Sequence, residues 1–318
     1  MKAIILKEPG GVDQLELAGL EIPTPAKNEV LVKVYAIGIN PVDIKTRKGG
    51  ALYGSLKEDP PIVLGWDISG VVLAAGSEVK KFREGDAVFG MVNFPGHGKA
   101  YAEYVAAPAD HLAIKPLNCT HAEAAATTLA ALTAWQVLVH QARLQPGQHL
   151  LMHAAAGGVG HFAVQIAKHL GAKITGTASA ANEGFLKELG VDHFIDYRSS
   201  PAYAGLEVDL VFDPIGGDTT FSSLQAIRHG GKLVSIVGGV KEDVLRSAAE
   251  RDIEAKNYLV QSSGADMEAL AGLLEQGQLE PHISKKFSLD NIAEAHQQIE
   301  TGRTKGKIVL TLDDGRDA

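Results

Sequence analysis

A glycine-rich segment near the middle of the chain has the residue types and spacing of a site for a large anion. It reads His153-Ala-Ala-Ala-Gly-Gly-Val-Gly160 and lies between a short apolar segment and a segment with helical spacing. Glycines at such a turn let the backbone approach a pyrophosphate, which the free amides of the helix N-terminus then bind. Ala155 stands at the first glycine position of the G-x-G-x-x-G pattern, and Gly157 and Gly160 fill the other two. The segment therefore predicts a dinucleotide site, with a ligand-free glycine-rich turn as the alternative.

The end of the next predicted strand indicates which dinucleotide is bound. A site for NAD places Asp or Glu about 20 residues further on, where it holds the ribose 2′-hydroxyl. Here residues 176–182 carry no acidic side chain before Glu183, so a 2′-phosphate is not repelled and we expect NADPH. Ser179 is placed to donate a hydrogen bond to that phosphate. Tyr197 and Arg198, after the following strand, would add a hydroxyl and a positive charge, although Arg198 also reads as a solvated loop arginine.

Two kinds of elements must position these residues. Residues 1 to about 118 read as short strands with glycine turns, which is typical of a small β-barrel. From 148 to 237 strands and helices alternate, which predicts a parallel sheet with helices on both faces. The segment after 262 breaks this alternation and is expected to fold back onto the barrel. We therefore predict an α/β protein with a discontinuous first domain, residues 1–120 and 263–318, and a second domain, residues 121–262.

Composition and charge exclude several classes of protein. The 318 residues carry 30 Lys and Arg against 38 Asp and Glu, and the net charge of -8 argues against nucleic-acid binding. Cys119 is the only cysteine, so an internal disulfide and a four-cysteine zinc site are both excluded. No uninterrupted apolar run approaches the roughly 20 residues of a membrane span. The N-terminus does not resemble a signal peptide, and we expect a cytoplasmic protein.

Candidate metal ligands and nucleophiles are scattered. The chain has twelve histidines, but His149 and His153, which share a predicted strand face, have no third ligand near them in sequence. Metal-binding histidines usually come in tighter motifs, so we predict no metal site. Cys119 lies at a predicted helix start, which lowers a thiol pKa, yet no partner base accompanies it and a structural role is favoured.

Ten short stretches together resemble the zinc-independent quinone oxidoreductases of the medium-chain dehydrogenase/reductase superfamily, the zeta-crystallin type. The resemblance covers nearly the whole chain, and the order and spacing of the stretches make it specific. The stretches are Gly38-Ile-Asn40-Pro41-Val-Asp43, Gly65-Trp-Asp67-Ile-Ser-Gly70-Val, Gly85-Asp86-Ala-Val88, Ala100-Tyr101-Ala-Glu-Tyr104-Val, Ala131-Leu-Thr133-Ala-Trp135, the 154–160 loop, Asp213-Pro-Ile-Gly216-Gly217, Gly230-Gly231-Lys-Leu-Val, Ala295-His296 and Gly306-Lys307-Ile-Val.

The resemblance implies a GroES-like β-barrel catalytic domain plus a Rossmann domain with a doubly wound parallel sheet. It also implies that the cofactor lies between the two domains. Asn40 would lie at the nicotinamide side and Thr133 would approach the nicotinamide ring. The remaining cofactor positions implied by the family are Gly157, Gly158 and Val159 at the pyrophosphate and Val237, Gly238 and Gly239 at a strand end. The family often has Lys or Arg after the second strand, where this chain has Asn182-Glu183.

Two departures from the zinc-containing alcohol dehydrogenases indicate the reaction. Those relatives resemble this chain but have Cys near position 40 and Gly-His-Glu where this chain has Gly65-Trp66-Asp67. Asn40 and Trp66 supply neither thiolate nor imidazole, so no Lewis acid polarises an alcohol or ketone. Hydride addition to a quinone or to the C=C bond of an α,β-unsaturated carbonyl needs no metal, because conjugation already activates the acceptor. Asp43 and Asp67 are expected to order the loop by hydrogen bonds.

Three questions stay open at the level of sequence. The proton for the reduced product comes from Tyr53, which follows the Asn-Pro-Val-Asp segment, or from water; Tyr53 also reads as an aromatic that only lines the pocket. An NADPH-binding protein with a structural or RNA-binding role is the alternative to an enzyme, and a dehydrogenase with unusual zinc ligands is a third reading. By resemblance we expect a homodimer that pairs the last strand of each Rossmann sheet, with residues 258–261 as that edge.

Overall fold

Strands dominate the first third of the chain and alternate with helices after it. The computed structural model describes residues 1–199, 203 and 205–312. Its α-helices are α1 (Pro41–Arg47), α2 (Tyr53–Leu56), α3 (His121–Trp135), α4 (Gly158–His169), α5 (Glu183–Glu188), α6 (Asp218–Ser223), α7 (Glu242–Ala249), α8 (Gly264–Glu275) and α9 (Ile292–Glu300). Its strands are β1 (Lys2–Leu6), β2 (Leu15–Gly19), β3 (Glu29–Ile39), β4 (Ile62–Val63), β5 (Asp67–Ala75), β6 (Ala87–Met91), β7 (Tyr104–Pro108), β8 (Leu112–Ile114), β9 (His149–Met152), β10 (Lys173–Ala178), β11 (His193–Asp196), β12 (Val208–Asp213), β13 (Ile227–Ser235), β14 (Glu254–Asn257), β15 (Ile283–Ser288) and β16 (Lys307–Thr311).

The chain divides into two units. The first unit comprises Met1–Leu132 and Val260–Ala318, and the second unit comprises Thr133–Leu259. The division falls within α3, whereas the predicted boundary at residue 120 falls at the start of that helix.

The first unit is built around a seven-stranded sheet. Its strand order is β15-β16-β3-β5-β6-β8, with β7 also paired to β3. Strand β3 alternates buried and partly exposed residues along most of its length, as expected for a strand with one face on a core. Strand β16 pairs antiparallel with β3, and Ile308 lies opposite Ile39. This pairing brings Lys307, at the start of β16, beside the end of β3 and therefore beside Asn40.

The second unit is a six-stranded parallel sheet in the order β11-β10-β9-β12-β13-β14. Numbered within the unit, this is the order 3-2-1-4-5-6 of dinucleotide-binding folds, in which ligands bind at the carboxyl ends of the strands where the order reverses. The reversal lies between β9 and β12. Residues 150–152 of β9 and 210–212 of β12 are all buried, which explains their unbroken apolar sequences.

Helix α3 continues as a π-helical turn at Gln136–Gln141. Among the described residues, the combined segment His121–Gln141 is long and apolar enough to cross a membrane, with a mean hydropathy of 1.2. However, 83% of its apolar window is buried inside the protein, and the core helix of a globular protein meets the same criteria. Polar residues such as Gln136 and His140 interrupt this segment, so it contains no uninterrupted apolar run of that length.

Two element assignments made from the sequence are wrong. The edge strand of the parallel sheet is β14, Glu254–Asn257, and not residues 258–261. The sequence pattern of residues 221–228, stopped by Gly230-Gly231, predicts a helix, but α6 ends at Ser223 and β13 begins at Ile227. The guanidinium of Arg251 donates to the carbonyls of Leu224 and Ile227, which satisfies backbone acceptors that a longer helix would have used internally.

Candidate active site

The loop between β9 and α4 is held in a tight turn by its own backbone. Ala154 adopts the left-handed region with a φ of 45°, and its carbonyl accepts a 2.8 Å hydrogen bond from the amide of Gly157. A Cβ atom on Gly160 would lie 2.2 Å from that same carbonyl oxygen. Glycine is therefore required at 160 for the helix to start this close to the turn.

The turn leaves backbone donors available at the start of α4. The first helical hydrogen bond runs from the amide of His161 to the carbonyl of Gly157, at 3.0 Å. The amides of Gly158, Val159 and Gly160 precede it and have no acceptor within the helix. The first turn of α4 contains no acidic residue. Together with the positive end of the helix dipole, these amides form a cradle that fits a pyrophosphate.

The residues predicted to distinguish NADPH from NADH lie together at the ends of β10 and β11. Ser179 directly follows β10, and Tyr197 and Arg198 directly follow β11. The amide of Tyr197 donates to the carbonyl of Ala178 at 3.3 Å. The guanidinium of Arg198 stacks over the Tyr197 ring at 5.6 Å, and within the described part of the chain it makes no ion pair. A cation and two hydroxyls therefore share this corner of the second unit.

The ends of β12 and β13 complete the same edge of the sheet. Asp213, fully buried at the end of β12, accepts hydrogen bonds from the amides of Ile215 and Gly216 at 2.8 and 3.0 Å. Its other oxygen accepts from the hydroxyl of Thr220 at 2.5 Å. Val237, Gly238 and Gly239 follow β13, and both glycines have positive φ. Thr133 is buried near the end of α3.

Asn40, the predicted catalytic residue of the first unit, is the centre of a buried polar cluster. Its side chain is 1% exposed. Its carboxamide nitrogen donates to Asp67 at 2.7 Å, and its carboxamide oxygen accepts from the ammonium of Lys307. Lys307 also donates to the carbonyl of Ile39 at 3.0 Å, and its nitrogen lies 3.7 Å from Asp67. The structure thus fixes the orientation of the amide by a cation on one side and a carboxylate on the other.

Two carboxylates order the Asn-Pro-Val-Asp turn, as expected from the sequence. The carboxylate of Asp43 accepts a 2.6 Å hydrogen bond from the amide of Asn40, and Asp67 accepts from the amide of Leu129 at 3.0 Å. Burial raises the pKa of Asp43 to about 7. Burial also raises the pKa of Asp67, against the effect of the Lys307 ammonium, while burial lowers the pKa of Lys307. We read Asp67 and Lys307 as an ion pair.

The cluster continues away from Asn40 through buried side chains. The Tyr101 hydroxyl bonds to Nε2 of His296 at 3.0 Å, and burial lowers the pKa of His296 to about 3. Tyr101 also lies beside Asp43 and lowers its pKa. Among the described residues, Oδ1 of Asp43 is nevertheless buried without a hydrogen-bond partner. Arg47, 1% exposed, pairs with Glu300.

Tyr53, the predicted proton donor, lies in the one-turn helix α2 and is half-buried. Its amide donates to the carbonyl of Gly50 at 2.9 Å. Within the described residues, no hydrogen bond or ring contact joins its side chain to Asn40. The structure therefore does not bring the two predicted catalytic side chains into contact, and the role of Tyr53 stays a prediction.

Sequence reasoning missed three members of this cluster. Lys307, Tyr101 and His296 all lie in stretches that carried the family resemblance, but none of them was predicted to be part of the site. A buried charge was the available signal. A lysine that opens an apolar strand such as Lys307-Ile-Val-Leu-Thr311 must find a partner, but the partner, Asn40, is 267 residues away in the chain.

Two known protein families match parts of this chain. Residues 26–117 match the family described as "Alcohol dehydrogenase GroES-like domain", and residues 189–310 match the family described as "Zinc-binding dehydrogenase". The NADPH-dependent alkenal/one oxidoreductase of Arabidopsis thaliana is 34% identical over 98% of this chain and 79% of its own length.

Two solved structures are similar over nearly the whole chain. A quinone oxidoreductase from Coxiella burnetii has a TM-score of 0.93 and 37% identity, covering 98% of this chain and 99% of that one. The quinone oxidoreductase of Escherichia coli, solved in complex with NADPH, has a TM-score of 0.86 and 29% identity, covering 98% and 100%.

The zinc in the second family description does not fit the residues of this chain. Trp66 is fully buried, and its indole nitrogen donates to the carbonyl of Gly96 at 2.7 Å; an indole N–H is a donor only. The carboxamide oxygen of Asn40 is bonded to the Lys307 ammonium, which would repel a metal cation. In the described residues, no group of three or more His, Cys, Asp or Glu is arranged to hold a metal.

Proposed function

The chain belongs to the zinc-independent quinone and alkenal oxidoreductases of the medium-chain dehydrogenase/reductase superfamily, and from this premise we propose that it reduces quinones or the C=C bond of α,β-unsaturated carbonyls with NADPH. The observation that carries the proposal is the pyrophosphate cradle of the 154–160 loop at the point where the strand order reverses. The donor set around Asn40, which does not fit zinc, directs the choice of acceptor.

The second unit binds the cofactor through backbone and side-chain donors. The amides of Gly158, Val159 and Gly160 hold the pyrophosphate, and Ser179, Tyr197 and Arg198 hold the 2′-phosphate. NADPH, when bound, supplies the hydride. The loops after β12 and β13 form the remaining border of the site. Asp213 keeps the first of these loops in one conformation through three hydrogen bonds.

The first unit orients the acceptor, and its donor set around Asn40, which does not fit zinc, disfavours the reduction of simple ketones. Asn40, held by Lys307 and Asp67, fixes the end of β3 where the acceptor binds. A quinone or enone is activated by its own conjugated carbonyl and needs no Lewis acid, whereas a simple ketone must first be polarised, by a metal ion in the zinc-dependent case. The proton that completes the reduction comes from Tyr53 or from water. The protein's main contribution is alignment of the two reactants.

A substrate panel tests the proposed function. The purified protein is mixed with NADPH or NADH and with a series of quinones, enals, enones and simple ketones, and oxidation of the cofactor is followed by its absorbance. We expect turnover with quinones or conjugated carbonyls, faster with NADPH than with NADH, and none with simple ketones. If the protein binds NADPH but no acceptor oxidises it, the proposed enzymatic function is wrong. The protein would then be a non-enzymatic NADPH-binding protein.

The loop is tested by adding a charge to it. Gly157→Glu places a carboxylate beside the proposed pyrophosphate, and we expect NADPH binding to be lost because like charges repel. The matched control is Gly19→Glu, since Gly19 lies on β2 of the first unit with nothing within 4 Å of its added Cβ. Unchanged NADPH affinity in Gly157→Glu would contradict the assignment of the loop.

We also propose a homodimer formed through the edge strand β14. Strand β14 ends the parallel sheet, and edge strands pair readily with a second copy. Light scattering across a range of protein concentrations measures the mass directly. A monomer at micromolar concentration would contradict the proposed dimer without affecting the proposed reaction.

A further inference from the structure

His153 is a fully buried histidine at the entrance to the dinucleotide loop. It directly follows β9 and is 0% exposed. Its Nδ1 lies 3.2 Å from the hydroxyl of Thr177 on β10, and its Nε2 lies 2.7 Å from the hydroxyl of Ser223 at the end of α6. One ring therefore connects the start of the loop with the neighbouring strand and with a helix packed on the sheet.

The hydrogen bonds define which ring nitrogen carries the proton. The hydroxyl of Ser223 donates to the carbonyl of Thr219, so its oxygen is left to accept from Nε2–H of His153. A neutral imidazole has only one N–H, and Nδ1 therefore accepts from the hydroxyl of Thr177. Burial lowers the pKa of His153 to about 4, although Asp213 opposes the shift. The ring is neutral at physiological pH, and both nitrogens are satisfied.

Thr177 is held from two sides at the edge where the cofactor binds. Its carbonyl accepts a 2.9 Å hydrogen bond from the amide of Ala155 in the loop, and its hydroxyl donates to His153. Thr177 lies two residues before Ser179, where we place the 2′-phosphate. The pyrophosphate loop and the end of β10 are therefore cross-linked by two hydrogen bonds, one of which depends on the histidine side chain.

A second histidine on the same strand makes a similar bond in a different place. Nε2 of His149 lies 2.8 Å from the hydroxyl of Thr175 on β10. His149 is at the amino end of β9, roughly 13 Å from His153 at the rise per residue of a strand. Both histidines join the same two strands, but only His153 lies at the carboxyl edge, which makes His149 an internal control.

We propose that His153 is a positioning residue that holds the 154–160 loop and the Ser179 end of β10 in one geometry, and that it thereby determines affinity for a dinucleotide carrying a 2′-phosphate. The proposal rests on the proposed function, because it assumes that NADPH binds at this edge. His153 does not touch the reacting atoms; it acts through the two elements that would touch the pyrophosphate and the phosphate. If His153 has this role, its loss should weaken cofactor binding. Loss of a histidine that only joins two strands should weaken folding alone.

The test compares His153→Phe with His149→Phe. Phenylalanine keeps a planar aromatic ring, slightly larger than imidazole, and removes the hydrogen bonds. The dissociation constants of NADPH and NADH are measured by titration without substrate, and the free energy of unfolding is measured in urea. In His153→Phe we expect the dissociation constant of NADPH to rise about tenfold or more, as loss of roughly one hydrogen bond's net energy in the bound geometry implies. The KM for NADPH should rise with it while kcat at saturation changes little. In His149→Phe, which removes one bond at a partly exposed position, we expect a smaller loss of stability and unchanged affinity.

A second pair guards against failure of His153→Phe to fold. Thr177→Val and Thr175→Val remove only a hydroxyl from each threonine, and both positions are buried. The affinity for NADPH should fall in Thr177→Val and stay unchanged in Thr175→Val. Equal affinities in the two valine variants, or equal effects of the two phenylalanine variants, would overturn the role of His153. If the wild-type protein binds no nicotinamide dinucleotide, the proposed function itself is wrong, and this outcome is distinct from the others.

Discussion

Two buried aspartates, Asp43 in the first unit and Asp213 in the second, show two ways to build a polar site. Both are fully buried. Asp213 accepts three hydrogen bonds, all from residues within seven positions of it in the chain. Asp43 accepts one, from the amide of Asn40, and among the described residues its second oxygen has no hydrogen-bond partner. Asp213 therefore has both oxygens satisfied by nearby residues, whereas Asp43 has one nearby donor and one buried oxygen without a donor in the described part of the chain.

This difference suits the second unit to binding a ligand and the first unit to holding side chains in a fixed orientation. In the second unit, turns and a helix N-terminus satisfy the side chains and leave backbone amides available for a ligand. In the first unit, Lys307, the Asp67 carboxylate and the Asn40 carboxamide satisfy one another and are closed to solvent. Buried charges are costly unless they are paired, so the first unit should be sensitive to loss of a single partner. The second unit should be sensitive to loss of space in its loop.

The largest effect should come from removing the cation of the first cluster. Lys307→Met leaves Asp67 buried and without its positive partner, and breaking such a pair costs about 3–5 kcal/mol. Urea unfolding measures the free energy of unfolding. Lys45→Met is the control, because Lys45 is an exposed lysine on α1 and should cost little. A loss below about 1 kcal/mol in Lys307→Met would mean that the cluster is not the energetic centre of the first unit.

The corresponding change in the second unit fills the space beside the loop. A Cβ on Gly160 would lie 2.2 Å from the carbonyl oxygen of Ala154, a backbone atom that cannot turn away. Gly160→Ala should therefore destabilise the protein by about 3 kcal/mol, at the upper end of overpacking costs, and weaken NADPH binding. Gly157→Ala is the matched control in the same loop, since its Cβ would lie 3.1 Å from that oxygen. Equal effects of the two variants would contradict the asymmetry of the loop.

The two regions also differ in how far the sequence predicts them. The loop, the parallel strands and their helices follow from glycine spacing and from local periodicity, which act over a few residues. The pairing of Lys307 with Asn40 joins positions 267 residues apart, and no local pattern contains it. The edge strand β14 was misplaced by four residues because Glu254-Ala-Lys-Asn257 is polar and lacks the apolar signal of residues 258–261. The π-helical turn at Gln136–Gln141 has no sequence signature either.

The pKa of Asp43 gives the first unit a pH dependence. Its folded value of about 7 lies above the ordinary 3.8, so the folded state binds the proton more tightly. The resulting stabilisation is complete below about pH 4 and is lost as the pH rises through 7. Asp43→Asn has no such proton. Between pH 5 and pH 8 the wild-type protein should lose about 2.5 kcal/mol more stability than the variant. Urea unfolding at several pH values gives both curves, and parallel curves would contradict a folded pKa of about 7 for Asp43.

The smallest expected effect comes from a glycine that no close packing requires. It shows whether the effect of a Gly→Ala substitution on stability depends on its position. Gly272 lies within α8 of the first unit, with negative φ and nothing within 4 Å of an added Cβ. Gly272→Ala should stabilise the protein by about 0.5–1 kcal/mol, because alanine loses less conformational freedom in a helix. The same substitution thus has opposite signs at 160 and 272, and urea unfolding of both variants beside the wild type measures the difference. If Gly272→Ala destabilises the protein, glycine is required at 272 as it is at 160. The two regions would then not differ in their need for glycine.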